Sequence, residues 1–131
     1  MIPDMPKVKD LMSQSVLTLS PDTTLEEAAQ TLANLGVSGA PVVENERLVG
    51  VFTKSDIVDD LSDGEIILSE LVRKTMSKTP VTVSPEDDVS IAVKLFAEKR
   101  VHRVVVVDAS QAVVGILTPL DIVLALYEKR L

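Results

Sequence analysis

Two short frames in this chain, Thr53-x-x-Asp56 and Thr118-x-x-Asp121, carry side chains that could hold a ligand. A Thr three residues before an Asp is the spacing of a helix N-terminal capping box. The same geometry also offers chemistry. A helix N-terminus presents free N–H groups and positive potential to an anion such as phosphate. A carboxylate beside it can accept hydrogen bonds from both hydroxyls of a ribose. Capping and binding are compatible, so both readings stand for both aspartates. His102 and Arg103 add a second element upstream of the second frame. A guanidinium is always charged and grips phosphate with two parallel hydrogen bonds, so Arg103 is the stronger phosphate candidate. His102, the single histidine, reads as a structural residue or as a further phosphate contact.

The remaining inventory speaks against catalysis. The chain has no cysteine, which removes disulfides, thiolate zinc sites and cysteine nucleophiles. No second His or Cys is present to complete a metal site around His102. A catalyst needs a positioned base, nucleophile or metal, and the carboxylates already have roles as caps or ligand anchors. The formal net charge is −7, which disfavours general nucleic-acid binding, and aromatics at 2% leave few stacking residues. The acidity is uneven. Residues 1–64 hold four Lys/Arg against eleven Asp/Glu, whereas residues 65–131 hold nine of each. Lys94, Lys99, Arg100 and Arg103 form a local basic group that, taken alone, reads as a solvated helix face. No apolar run reaches the roughly 18 residues of a membrane span, and no signal-peptide h-region stands at the N-terminus. A cytoplasmic protein is expected.

The two frames recur because the chain repeats. Val8 to Glu44 lies over Val72 to Asp108 at an offset of 64, with identical pairs that include Met12/Met76, Ser13/Ser77, Ser20/Ser84, Pro21/Pro85 and Ala28/Ala92. After one inserted residue, Val49-Gly50-x-x-Thr53-x-x-Asp56-Ile57-Val58 matches Val114-Gly115-x-x-Thr118-x-x-Asp121-Ile122-Val123. Each repeat predicts the same elements: a short helical segment (Val8–Met12; Ile67–Met76), an extended piece (Val16–Leu19; Val81–Val83), and a Ser-Pro turn. A helix follows, entered through a capping box at Thr23-x-x-Glu26 in repeat one and near Asp87 in repeat two. Its core stripe is Leu25, Ala28, Ala29, Leu32 and Leu35, or Val89, Ala92, Val93 and Phe96. Two strands come next, Ala40–Val43 with Leu48–Phe52 and Arg103–Val107 with Ala112–Leu117. The run Val104–Val107 suits burial on both faces. A second helix closes each repeat, Ser55–Leu61 or Pro119–Lys129, with Pro119 suited to the first helical position. Gly50 and Gly115 read as sites of a bend or of close packing. The expected class is α+β (α/β-like), with small sheets covered by helices. Repeat one spans 7–61, a linker with a hinge at Ser62-Asp63-Gly64 spans 62–66, and repeat two spans 67–127. A single repeat is small for a stable core, so the two are expected to fold as one body.

Met-Ser, then Thr-x-Ser-Pro, then an Ala-containing helix, then Val-Ser-Gly-Ala-Pro-Val-Val, then Gly-x-x-Thr-x-x-Asp resembles the CBS domain, and two in tandem resemble a Bateman module. The resemblance covers about residues 7–127 and implies two small sheet-and-helix repeats related by a pseudo-twofold axis. It implies a regulatory sensor of an adenosine-containing ligand in clefts between the repeats, AMP, ADP or ATP first and S-adenosylmethionine or NAD after them. It implies no required cofactor, a homodimer, an enzyme, channel or transporter as the regulated partner, and a stand-alone pair, since no output domain is recognisable. A structural dimerisation module with degenerate or S-adenosylmethionine-type clefts is the alternative.

By the same resemblance, each Asp is similar to a ribose anchor and each Thr to a phosphate or ribose contact. The better cleft would draw on Asp121, Thr118, Arg103 and His102 with Thr23, Ala28 and Ser38. The second would draw on Asp56, Thr53, Gly39, Asp87 and Ala92. Ser38-Gly39 stands where repeat two has His102-Arg103, and Asp87 stands where repeat one has Thr23. The first pair brings no positive charge and the second adds a carboxylate, so inequivalent sites are expected.

Overall fold

The computed structural model describes residues 5–62, 64 and 67–128. Among them the chain divides into two compact units. One is continuous and runs from Leu17 to Pro80; the other is split and joins the stretch up to Val16 to the stretch from Val81 onward. The four valines of Val104–Val107 are all buried, as expected of a strand covered on both faces.

The split unit contains α1 (Val8–Leu11). The continuous unit contains α2 (Leu25–Leu35), β1 (Gly39–Glu44), β2 (Arg47–Thr53), α3 (Lys54–Ser62) and α4 (Val72–Thr75). The split unit resumes with β3 (Thr82–Val83), α5 (Val89–Lys99), β4 (Val104–Val107), β5 (Val113–Leu117) and α6 (Pro119–Tyr127). The class is mixed α+β. No described helix is long and apolar enough to cross a membrane.

The units do not coincide with the sequence repeats, because each contains the short opening helix of the other repeat. In the split unit, α1 donates Val8 N–H to Asp87 C=O (2.8 Å) and Lys9 N–H to Pro85 C=O (3.0 Å). In the continuous unit, α4 makes the matching bonds, Val72 N–H to Thr23 C=O (2.8 Å) and Arg73 N–H to Pro21 C=O (2.9 Å). The residues just before these helices cap the long ones. Pro6 C=O accepts from Val89 N–H, and Glu70 C=O accepts from Leu25 N–H. Orphan donors at the helix starts are thereby satisfied by backbone.

Each unit has its own aliphatic core. Val8, Leu11, Val83, Val89, Ala92, Val104, Val106, Leu117 and Ala125 fill the split unit. Leu19, Leu25, Ala28, Leu32, Ala40, Val42, Phe52, Val72 and Met76 fill the continuous one. Three residues of the expected stripes fall outside: Leu35, the last residue of α2, and Val93 on α5 are exposed, and Ala29 is half-buried and in neither core. The capping box is also shifted by one residue. Thr24, not Thr23, caps α2, accepting from Glu27 N–H and donating its hydroxyl to Glu27 Oε1.

Both sheets are built on an antiparallel pair with one bulge. In β1–β2, Val42 faces Gly50 but Val43 faces Leu48, so Val49 is the extra residue. In β4–β5, Val106 faces Gly115 and Val107 faces Val113, so Val114 is the extra one. The split unit adds β3, parallel to β4. The continuous unit shows only an isolated parallel bridge, Leu19 to Val42, at the corresponding place. Pro41 explains the difference. Val105 N–H donates to Val81 C=O, and Pro41 occupies the position of Val105 without an N–H to give.

Outer edges are closed by the Met-Ser dipeptides. Ser77 exchanges two backbone hydrogen bonds with Val51, and Ser13 does the same with Ile116. This brings Met76 and Ser77 over Gly50, and Met12 and Ser13 over Gly115. Both glycines therefore serve close approach.

Candidate functional site

The second strand of each unit runs directly into a helix through a Thr. In the split unit Thr118 is the N-cap of α6, with Pro119 at the first helical position. Thr118 N–H donates to Asp121 Oδ2 at 2.9 Å, and the Thr118 hydroxyl donates to the same oxygen at 3.1 Å. Asp121 N–H returns a bond to the Thr118 hydroxyl oxygen at 3.3 Å. This is a reciprocal capping box. In the continuous unit Thr53 N–H donates to Asp56 Oδ2 at 2.8 Å, with its hydroxyl 3.4 Å from the same oxygen. The capping reading holds in full at Thr118–Asp121, and at Thr53–Asp56 through the bonds from Thr53 to the carboxylate. It leaves the ligand reading open, because the described residues give no hydrogen bond to Oδ1 of either aspartate. Both aspartates are half-buried. Burial pushes the Asp56 carboxyl above the usual aspartate range, opposed by the Thr53 bonds and reinforced by the Asp59 and Asp60 charges.

The neighbouring strand delivers the second element. β1 pairs with β2 out to Gly39 opposite Thr53, and Lys54 N–H donates to Ser38 C=O at 2.9 Å. Ser38, Gly39, Thr53 and Asp56 thus meet at one end of the β1–β2 pair. In the split unit the ladder ends at Val104 opposite Leu117. Arg103 and Thr118, the next residue on each strand, stand at that end with Asp121. Arg103 is half-buried, and burial draws its guanidinium down from its ordinary value. It remains a cation at any physiological pH. His102 beside it is exposed.

The other expected contacts divide differently. Thr23 and Ser38 lie in the continuous unit; Thr23 is half-buried and Ser38 exposed. Ala28 and Ala92 have no exposed surface and are members of the two cores. Asp87 is a turn residue, its Oδ2 accepting Ser84 N–H at 2.9 Å. Sequence reasoning missed the Lys54–Ser38 bond, which no local pattern signals. Among the described residues no group of three or more His, Asp or Glu could hold a metal ion.

The half-buried Asp and Thr at a strand-to-helix junction, given twice by an internal repeat, can now be set beside known proteins. The chain is 34% identical over 116 residues to the uncharacterized protein MJ1232 of Methanocaldococcus jannaschii, covering 88% of this chain and 38% of that protein. It is 31% identical over 116 residues to inosine-5′-monophosphate dehydrogenase of Korarchaeum cryptofilum, covering 88% of this chain and 23% of the enzyme. The chain therefore spans well under half of these relatives. Among solved structures it is similar to CBSX2 in complex with AMP, with a TM-score of 0.82 at 26% identity, covering 95% of this chain and 98% of that one. It is equally similar to the CBS domain pair of protein MJ0100 in complex with 5′-methylthioadenosine and S-adenosyl-L-methionine, with a TM-score of 0.83 at 26% identity and the same coverage. The CBS domain family matches twice, at residues 8–63 and 68–128, which are the two repeats that carry the Thr–Asp junctions, and the chain belongs to that family.

Proposed function

We propose that this chain is a regulatory module that binds an adenosine-containing ligand, AMP, ADP or ATP before S-adenosylmethionine or NAD, and modulates a partner protein. The observation that carries the reading is the repeated junction. A half-buried carboxylate anchored by a Thr N–H sits where a ribose could be held, and in one unit Arg103 stands at the same strand end as a candidate for a phosphate. Similarity to pairs solved with AMP and with S-adenosyl-L-methionine supports the same ligand class. Asp121, Thr118, Arg103 and His102 are the contacts proposed for the phosphate-bearing ligand. Asp56, Thr53 and Gly39 are those for a second ligand. The role proposed is binding, and the similarity to the dehydrogenase covers 23% of that enzyme.

Thermal unfolding with each ligand tests the reading. A ligand present at about 100 times its Kd should stabilise the folded state by about 2.7 kcal/mol, a rise of several degrees in Tm. No shift with any of the five ligands would sink the sensor reading and favour a purely structural interaction module.

The proposed assembly is a homodimer. Leu120, Val123, Leu124 and Tyr127 are all exposed at i, i+3, i+4 and i+7 along α6, and Asp121 is the one charged residue of that helix. Such a stripe is a seam for a second copy. Sedimentation velocity should give a dimer for the wild type and a monomer for Leu120→Asp/Leu124→Asp. A wild-type monomer at tens of micromolar would contradict it.

A further inference from the structure

Resting on the adenosine-binding reading above, we infer that the two junctions sort ligands by the charge of the 5′ substituent. The split unit's junction takes a phosphate-bearing adenosine. The continuous unit's junction takes one whose 5′ group is uncharged or cationic, a thioether or sulfonium.

The two junctions share a backbone plan and differ in charge. At the strand end beside Thr118 stands Arg103, a half-buried guanidinium. At the matching place beside Thr53 stands Gly39, which has no side chain, and the ladder closes onto Thr53. The helices differ in the same direction. Across Pro119–Tyr127, α6 carries Asp121 as its one charge. Across Lys54–Ser62, α3 carries Lys54 against Asp56, Asp59 and Asp60. Lys54 is the cation that could oppose this assignment. It is exposed at the first helical position, and three carboxylates on its own helix outnumber it.

The consequences follow from Coulomb's law. A phosphate carrying about two negative charges gains a charge-assisted bidentate partner at Arg103. At α3 it would meet repulsion from the carboxylates of Asp56, Asp59 and Asp60. An uncharged 5′ group avoids that repulsion and a cationic one reverses its sign. The ribose needs only the carboxylate that both junctions supply. Loss of one charged hydrogen-bond partner commonly costs about 10- to 100-fold in affinity, enough to sort two ligands present together.

Calorimetric titration with AMP and with 5′-methylthioadenosine tests this on the wild type, Asp121→Asn and Asp56→Asn, with circular dichroism confirming that each is folded. Asp121→Asn should weaken AMP at least about 10-fold and spare 5′-methylthioadenosine, and Asp56→Asn should do the reverse. Ser38→His/Gly39→Arg should add a second AMP site; if that variant does not fold, the two Asn variants decide. If both substitutions weaken both ligands alike, or Asp56→Asn alone weakens AMP, sorting by charge is wrong while adenosine binding stands. If neither ligand binds the wild type, the adenosine reading itself fails and takes this inference with it.

Discussion

Gly50→Ala should destabilise the protein by about 3 kcal/mol, and Gly115→Ala by clearly less, about 1 kcal/mol. The two glycines are counterparts in the repeat and occupy the same place in their sheets, each beside a bulge. What a methyl group would meet differs. At Gly50 it would lie 2.5 Å from the Ser77 carbonyl oxygen and 2.8 Å from Met76 Sδ. That carbonyl accepts Val51 N–H at 3.0 Å, and Ser77 N–H donates back at 2.9 Å. The oxygen is fixed by the edge pairing and cannot retreat without breaking it. At Gly115 the nearest obstacles are the Met12 thioether sulfur and Cγ, with the Ser13 carbonyl farther off at 3.0 Å. A methionine side chain has three rotatable bonds and can move aside. For a chain of this length, 3 kcal/mol lowers Tm by about 10 °C. Thermal melts of the two variants side by side provide the check. Equal losses would mean that the edge bridges are softer than their hydrogen bonds imply.

Asp121→Ala should have the largest effect on ligand binding, and its stability cost should stay small. The side chain caps α6 by accepting Thr118 N–H, and loss of such a cap costs about 1 kcal/mol. A carboxylate that accepts both ribose hydroxyls contributes two charge-assisted hydrogen bonds, and their removal should weaken nucleotide binding by about 100-fold or more. Asp121→Asn should separate the two roles. The amide oxygen can still accept Thr118 N–H, so Tm should hold while affinity falls. A variant that melts far lower and binds as tightly as the wild type would show Asp121 to be a cap alone.

Much of this was legible in the sequence, for identifiable reasons. The repeat located both junctions, and periodicity located every long helix and strand to within a few residues. The valine run Val104–Val107 could be read as doubly buried because nothing polar interrupts it. Glycine at 50 and 115 was readable as close packing, although the partner was not, since Met76-Ser77 and Met12-Ser13 are far away in the chain. The misses have physical causes. Leu35 and Val93 fit a helical stripe yet are exposed, because spacing fixes a face and does not say how wide the covering is. Thr23 and Thr24 are adjacent and followed by Glu26 and Glu27, so either could begin a capping box; only the path of the backbone selects Thr24. Ala28 and Ala92, placed in the core stripes by spacing, are core members as expected. The exchange of opening helices was also hidden. Val8 and Val72 are identical and nothing local distinguishes which core each enters.

The segment Ser62-Asp63-Gly64, expected as a hinge between the repeats, lies inside the continuous unit Leu17–Pro80. Ser62 ends α3 and Gly64 adopts a left-handed conformation at φ +88°, which suits glycine. Asp63 lies outside the described residues.

The most direct test of the central claim is calorimetric titration of AMP into the wild-type protein and into Asp121→Ala under identical conditions. The account predicts saturable binding to the wild type and a loss of at least about 100-fold in the variant, whose melting curve remains cooperative. Undiminished AMP binding by folded Asp121→Ala, or no binding of AMP, ADP, ATP, S-adenosylmethionine or NAD by the wild type, would contradict it.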